Sequence, residues 1–125
     1  MLLIVRALDD ARLARLVAAT QEAGLEPIVE AADANEVARA IACGAPVIGV
    51  NARDLRSFEV DAQAASRLIE IVPPDRVAIY MSGVRDASGY RRVAATRADA
   101  VLVGEGLMRS PNPGARLREL VTIED

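Results

Sequence analysis

The chain has 125 residues, 52% of them hydrophobic, and a formal charge of −3, which suits one compact domain (1–125) with a true core and argues against nucleic acid or an anionic membrane as partner. A single cysteine, Cys43, excludes an internal disulfide framework and fits a reducing cytoplasm, and no apolar run approaches the roughly 20 residues that span a bilayer. All 15 basic residues are Arg, with no Lys and no His, so Schiff-base catalysis by Lys, His-based triads and His metal sites are excluded within this chain.

The N-terminal MLLIVRALDD is apolar but short and lacks a basic start, so it reads as structure rather than as a signal peptide. Its LLIVRAL segment (2–8) is the first of five short apolar runs. PIVEA (27–31), PVIGVN (46–51), RVAIYMS (76–82) and DAVLVGE (99–105) follow. Their length and near-continuous hydrophobicity predict strands of a parallel sheet covered on both faces.

Amphipathic segments lie between them. Residues 9–24 carry Leu13, Leu16 and Val17 on one face, after an Asp-rich start and before Gly24. Residues 33–44 repeat the scheme, with Asp33 as cap, Val37 and Ile41 as stripe and Gly44 as stop. Helices are also expected over 61–74, over 87–98 (weakened by Gly89) and over 113–120, where Pro113 takes a first helical position. Cys43 falls on a buried stripe and reads as a small core residue.

Five βα units in succession give an α/β fold with a parallel five-stranded sheet. Two arrangements remain open: a piece of a (βα)8 TIM barrel, or a flavodoxin-like rearrangement with strand order 2-1-3-4-5. A complete barrel needs about 200–250 residues, so a barrel relative of this length is a half-barrel. In either case ligands sit beyond the carboxyl ends of the strands.

Those ends carry polar groups. Glu30 closes the second strand, as an ion-pair partner for a neighbouring Arg or as an acid–base group. Asn51 closes the third, to bridge loop backbones or orient a ligand hydroxyl or carboxylate, and Arg53 with Asp54 reads most simply as a structural ion pair or loop clamp. Ser82-Gly83 ends the fourth strand and Gly104-Glu105 the fifth. Glycines directly after two neighbouring strands, with GEGLMRS (104–110) able to start a short helix, point to a phosphate site; alternatively they only permit tight turns. Glu105 is an awkward anion there, expected to point away or to pair with Arg109. The first strand offers little beyond Arg6.

At these positions the sequence resembles the C-terminal part of indole-3-glycerol phosphate synthase, a (βα)8-barrel family of tryptophan biosynthesis. The stretches that carry the resemblance are LLIVRALDD, PIVEAAD, GAPVIGVNARDLRSFEVD, MSGV and DAVLVGEGLMRSPNPG, in order and along essentially the whole chain. The resemblance implies the last five strands of that barrel, with three βα units missing, and a lyase that closes a carboxyarylamino-deoxyribulose phosphate into a ring with loss of CO2 and water. It gives Glu30 an acid–base role and Asn51 and Arg53 substrate contacts, and it puts Ser82, Gly83, Gly104 and Glu105 in the substrate and phosphate loops. No cofactor is implied.

Departures from the family pattern are also present. Ala32 stands where the family has a His in VEVHD, Ala52 interrupts its N-N/S-R-D motif, and Met81 stands where ESG has a Glu. A thioether neither accepts a proton nor pairs with a cation. The family's Lys residues lie in the missing units.

Three functional readings follow. The chain is a catalytically silent half-barrel that keeps a site for inorganic phosphate or a phosphorylated small molecule, or a fragment active only when the N-terminal strands are supplied. The third is a new activity on a phosphorylated small molecule through Glu30 and Asn51. A half-barrel leaves two strand edges and an inner face uncovered, so a homo-oligomer, a dimer, is expected unless the strand order rearranges.

Overall fold

Each of the five longer helices begins at a short polar side chain that accepts a backbone hydrogen bond, and these caps divide the chain into its units. Asp9 accepts from Arg12 N, Asp33 from Glu36 N, Asp61 from Ala64 N, Asp86 from Gly89 N and Asn112 from Ala115 N, all between 2.7 and 2.9 Å. The first four N–H groups of a helix have no internal acceptor, so a carboxylate or amide here fixes where the helix starts. The computed structural model describes residues 1–54 and 57–122.

Strands β1 (Leu2–Ile4), β2 (Ile28–Ala31), β3 (Val47–Asn51), β4 (Val77–Met81) and β5 (Ala100–Leu102) alternate with helices α1 (Asp10–Glu22), α2 (Ala34–Ala42), α3 (Ala62–Glu70) and α4 (Ala87–Ala94). A single turn α5 (Glu105–Met108) and helix α6 (Pro113–Val121) complete the chain. The sheet is parallel throughout, in the linear order β1-β2-β3-β4-β5. That order is the barrel-like arrangement, and the flavodoxin-like alternative is not adopted. Among the described residues no helix is long and apolar enough to cross a membrane.

The first strand is shorter than its apolar run. Residues Val5–Ala7 form a 3-10 turn instead of continuing the strand. The turn brings the Arg6 guanidinium to the buried Glu36 carboxylate of α2, Nε to Oε1 at 2.9 Å. The edge strand is thereby joined to the next unit by a charge-assisted hydrogen bond.

The two sheet faces differ sharply. Leu3, Val29, Ala31, Ile48, Val50, Ala78 and Tyr80 are at most 6% exposed and form the core with Leu13, Val17, Val37, Ala40, Ala65 and Ile69 of the helices. Helix α2 packs on β2 and β3, and α3 on β3 and β4.

On the other face, strand register aligns three rows. Leu2, Ile28, Val47 and Val77 form the first, and Ile4, Glu30, Gly49, Ile79 and Ala100 the second. Asn51, Met81 and Leu102 form the third, at the carboxyl end. Among the described residues no helix covers this inner face: Leu2 is 49% exposed, Val77 44% and Leu102 56%, while Glu30, Val47, Asn51 and Met81 are buried. The expectation of a sheet covered on both faces therefore fails, because all the crossover helices lie on one side.

Candidate functional site

Because side chains alternate along a strand, Glu30 and Asn51 both point to the inner face. Both are buried, at 6% and 8% exposure. Asn51 Nδ2 donates to Glu30 Oε1 at 3.1 Å, and Asn51 Oδ1 accepts from Arg53 N at 3.0 Å. Asn51 therefore ties down the loop backbone, as its position suggested, and holds the protein's own Glu30 carboxylate through its amide nitrogen. The Glu30 partner described is this amide, in place of the neighbouring Arg that the sequence suggested.

Arg53 and Asp54 reach in different directions, and both clamp their own loop: Asp54 accepts from Ser57 N at Oδ1 and donates its backbone N–H to Glu59 O. Arg53 Nη2 lies 2.6 Å from Glu105 Oε2, and its Nη1 donates to Phe58 O at 3.2 Å. Asp54 Oδ1 lies 3.7 Å from Arg6 Nη1. Glu105 does not turn away from the site. Its second oxygen approaches Arg109 Nε at 3.1 Å and Arg85 Nη2 at 3.7 Å, so the expected Arg109 contact is one of three.

Between the loops after β4 and β5 lies a cavity of about 380 Å³, lined among others by Arg53, Ser82, Gly83, Arg85, Gly104 and Glu105. Five of these six residues are ones the sequence singled out, and Arg85 is the addition. The glycines of the two loops are not equivalent. Ser82 and Gly83 sit consecutively at φ +70° and +78°, a left-handed pair that a non-glycine residue adopts at some cost. Gly104, by contrast, has φ −116° and open space where a Cβ would stand. The sterically required glycine of that loop is Gly106, where a Cβ would come within 2.7 Å of Val84 O and 2.9 Å of Arg85 Cα. Gly106 therefore allows α5 to close the cavity against the β4 loop.

Met81 is buried at 6%, and its sulfur rests where a Cβ on Gly49 would be. It fills the inner face over a glycine and brings no ionisable group to the mouth. Tyr80 faces the helices, and burial pushes its phenol up. Cys43 caps the end of α2, half-buried, donating to Ala40 O at 3.1 Å, and burial raises its thiol too. Neither belongs to the cavity. Two residues were missed. Glu36 joins α2 to the first two units by accepting from Arg6 and from Ala32 N, and Arg85 adds a second cation to the cavity wall. The Arg in MSGVRD is a visible signal for Arg85, and Glu36 stands three residues after the Asp33 cap, at the spacing of a capping box, whereas its partner Arg6 has no local mark.

Comparison with known proteins adds the following. The family model described as indole-3-glycerol phosphate synthase matches residues 1–120. The chain is 50% identical over 121 residues to indole-3-glycerol phosphate synthase 2 of Streptomyces coelicolor, covering 97% of this chain and 47% of that protein. It is 46% identical over 118 residues to the indole-3-glycerol phosphate synthase of Opitutus terrae, covering 94% and 44%. The chain thus spans about half the length of the curated relatives it matches. Among solved structures, a 3-hexulose-6-phosphate synthase superposes with a TM-score of 0.77 at 18% identity, covering 95% of this chain and 58% of that one. Thiamine phosphate pyrophosphorylase from Pyrococcus furiosus gives 0.75 at 16%, covering 96% and 56%. At such identities these structures speak for the fold alone, and they are of the TIM-barrel type.

Proposed function

We propose, because this chain belongs to the indole-3-glycerol phosphate synthase family, that it holds the phosphate-binding end of a family-type site and, by itself, performs no ring closure. The carrying observation is the cavity between the β4 and β5 loops, with Arg53, Arg85 and Ser82 on its wall. Guanidinium groups beside a left-handed Ser82-Gly83 turn suit a phosphate, inorganic or carried by a small molecule.

The reading of no turnover rests on chemistry that these residues do not supply. Ring closure with loss of CO2 and water needs an acid at the leaving oxygen. The chain has no Lys, and Met81 stands where the resemblance places the family's Glu. Loss of one positioned acid typically costs about 10²–10⁴-fold.

The test is thermal melting with inorganic phosphate. Wild type should gain stability with added phosphate. Gly104→Asp should lose that gain while melting normally without ligand, since its side chain enters open space in the cavity. Equal stabilisation of both proteins would place the anion elsewhere.

One observation favours a second reading, a fragment that acts when further βα units are supplied. Glu30 and Asn51 remain hydrogen-bonded to each other at the carboxyl end of the sheet, as an acid–base group and its orienting amide would be. Mixing the chain with a separately produced N-terminal portion of a relative and assaying indole-3-glycerol phosphate formation separates the two. A last part of the proposal concerns the open inner face: in isolation, the chain self-associates through it.

A further inference from the structure

We propose that Glu105 is an internal counter-anion that competes with phosphate for the Arg53 guanidinium, and so sets how tightly the cavity holds its ligand. This rests on the phosphate reading above and adds a residue that tunes it.

The geometry carries the inference. Arg53 and Glu105 meet at 2.6 Å across 52 residues of sequence, with side chains 25% and 35% exposed. Both line the cavity. A phosphate entering there finds Arg53 already paired with a carboxylate. It must either displace Glu105 or sit beside it, and a like charge nearby disfavours the second choice.

Displacement leaves no stranded charge. The other Glu105 oxygen is already held at 3.1 Å by Arg109, a neighbour at i,i+4 whose side chain is 79% exposed and which is absent from the cavity lining. Arg85 Nη2 lies 3.7 Å from the same oxygen. The carboxylate therefore has a retreat on its own helix and beside it, while Arg53 has a backbone anchor at Phe58 O that keeps it at the cavity. Exchange of one anion for another on Arg53 is then a local side-chain rearrangement.

The experiment is calorimetric titration of inorganic phosphate into wild type, Glu105→Gln, Arg53→Met and the double variant, each first checked by its unliganded melting curve. Glu105→Gln keeps the shape and removes the charge, and it should tighten phosphate binding about three- to tenfold, the scale of a partly exposed ion pair strengthened by its neighbours. In the Arg53→Met background the same change should bring no gain, because no guanidinium is released; the cycle isolates the coupling.

Three results would overturn the inference. Unchanged or weaker binding by Glu105→Gln, with wild type binding normally, would make Glu105 a brace that holds Arg53 for the ligand, and the phosphate reading would survive. A gain that persists without Arg53 would mean that Glu105 acts by general repulsion. No binding by wild type or by Glu105→Gln would remove the phosphate reading, and this inference with it.

Discussion

The side-chain amide of Asn51 spans from β3 to β2, donating to the Glu30 carboxylate at 3.1 Å while its oxygen accepts from the backbone of Arg53. One residue therefore satisfies a buried charge and shapes the loop that carries the Arg53 guanidinium. Asn51→Ala should remove both bonds. A buried polar group that loses its partner costs about 1–3 kcal/mol. Urea denaturation should show a loss of that order, with the slope unchanged. A loss well under half a kcal/mol would mean that water replaces the amide without penalty.

Strong acid should weaken one helix start. Asp86 caps α4 by accepting from Gly89 N and Ser88 Oγ, and these bonds hold its carboxyl below the ordinary value of 3.8. A depressed folded-state pKa means that the ionised cap stabilises the fold above the unfolded value, and that this contribution is lost as pH falls through the folded one. Asp86→Asn retains a capping oxygen that does not titrate. Melting temperatures should therefore drop less steeply below pH 3.8 in the variant than in wild type. Parallel curves would show that other carboxylates dominate acid unfolding.

How much of this was legible in the sequence depends on the range of the interaction. The βα alternation follows from local apolar runs and from the Asp and Asn caps, and strand-end placement of Glu30, Asn51, Ser82 and Gly104 follows from those runs. Strand order did not, because near-continuous apolar strands suit either topology. The Arg53–Glu105 and Arg6–Glu36 pairs join residues 52 and 30 positions apart, and no local pattern marks them. Nor could GEG reveal that Gly106, not Gly104, is the glycine in close contact. That depends on the approach of Val84 and Arg85 from another unit.

The open inner face makes the last expectation. Its strand positions carry one charged side chain, Glu30, already hydrogen-bonded by Asn51, and are otherwise apolar or small. The free edges of β1 and β5 border it. For the isolated chain in solution the available cover is another copy, and a face with one charged group per copy, already hydrogen-bonded by Asn51, brings little like charge to its own image. Size limits the strength of this contact. Five strands spaced about 4.8 Å apart and three to five residues long give a face of only some 250–400 Å², below the roughly 800 Å² per partner of a stable interface. Association should therefore be reversible, in the micromolar range or weaker, and should not give a permanent dimer. Sedimentation velocity over a concentration series should show the average mass rising towards that of a dimer. Val77→Glu, at a position 44% exposed on this face, should abolish the rise without lowering the melting temperature of the dilute protein. A mass that stays monomeric at high concentration, or a rise that Val77→Glu leaves intact, would show that the inner face is not where copies meet.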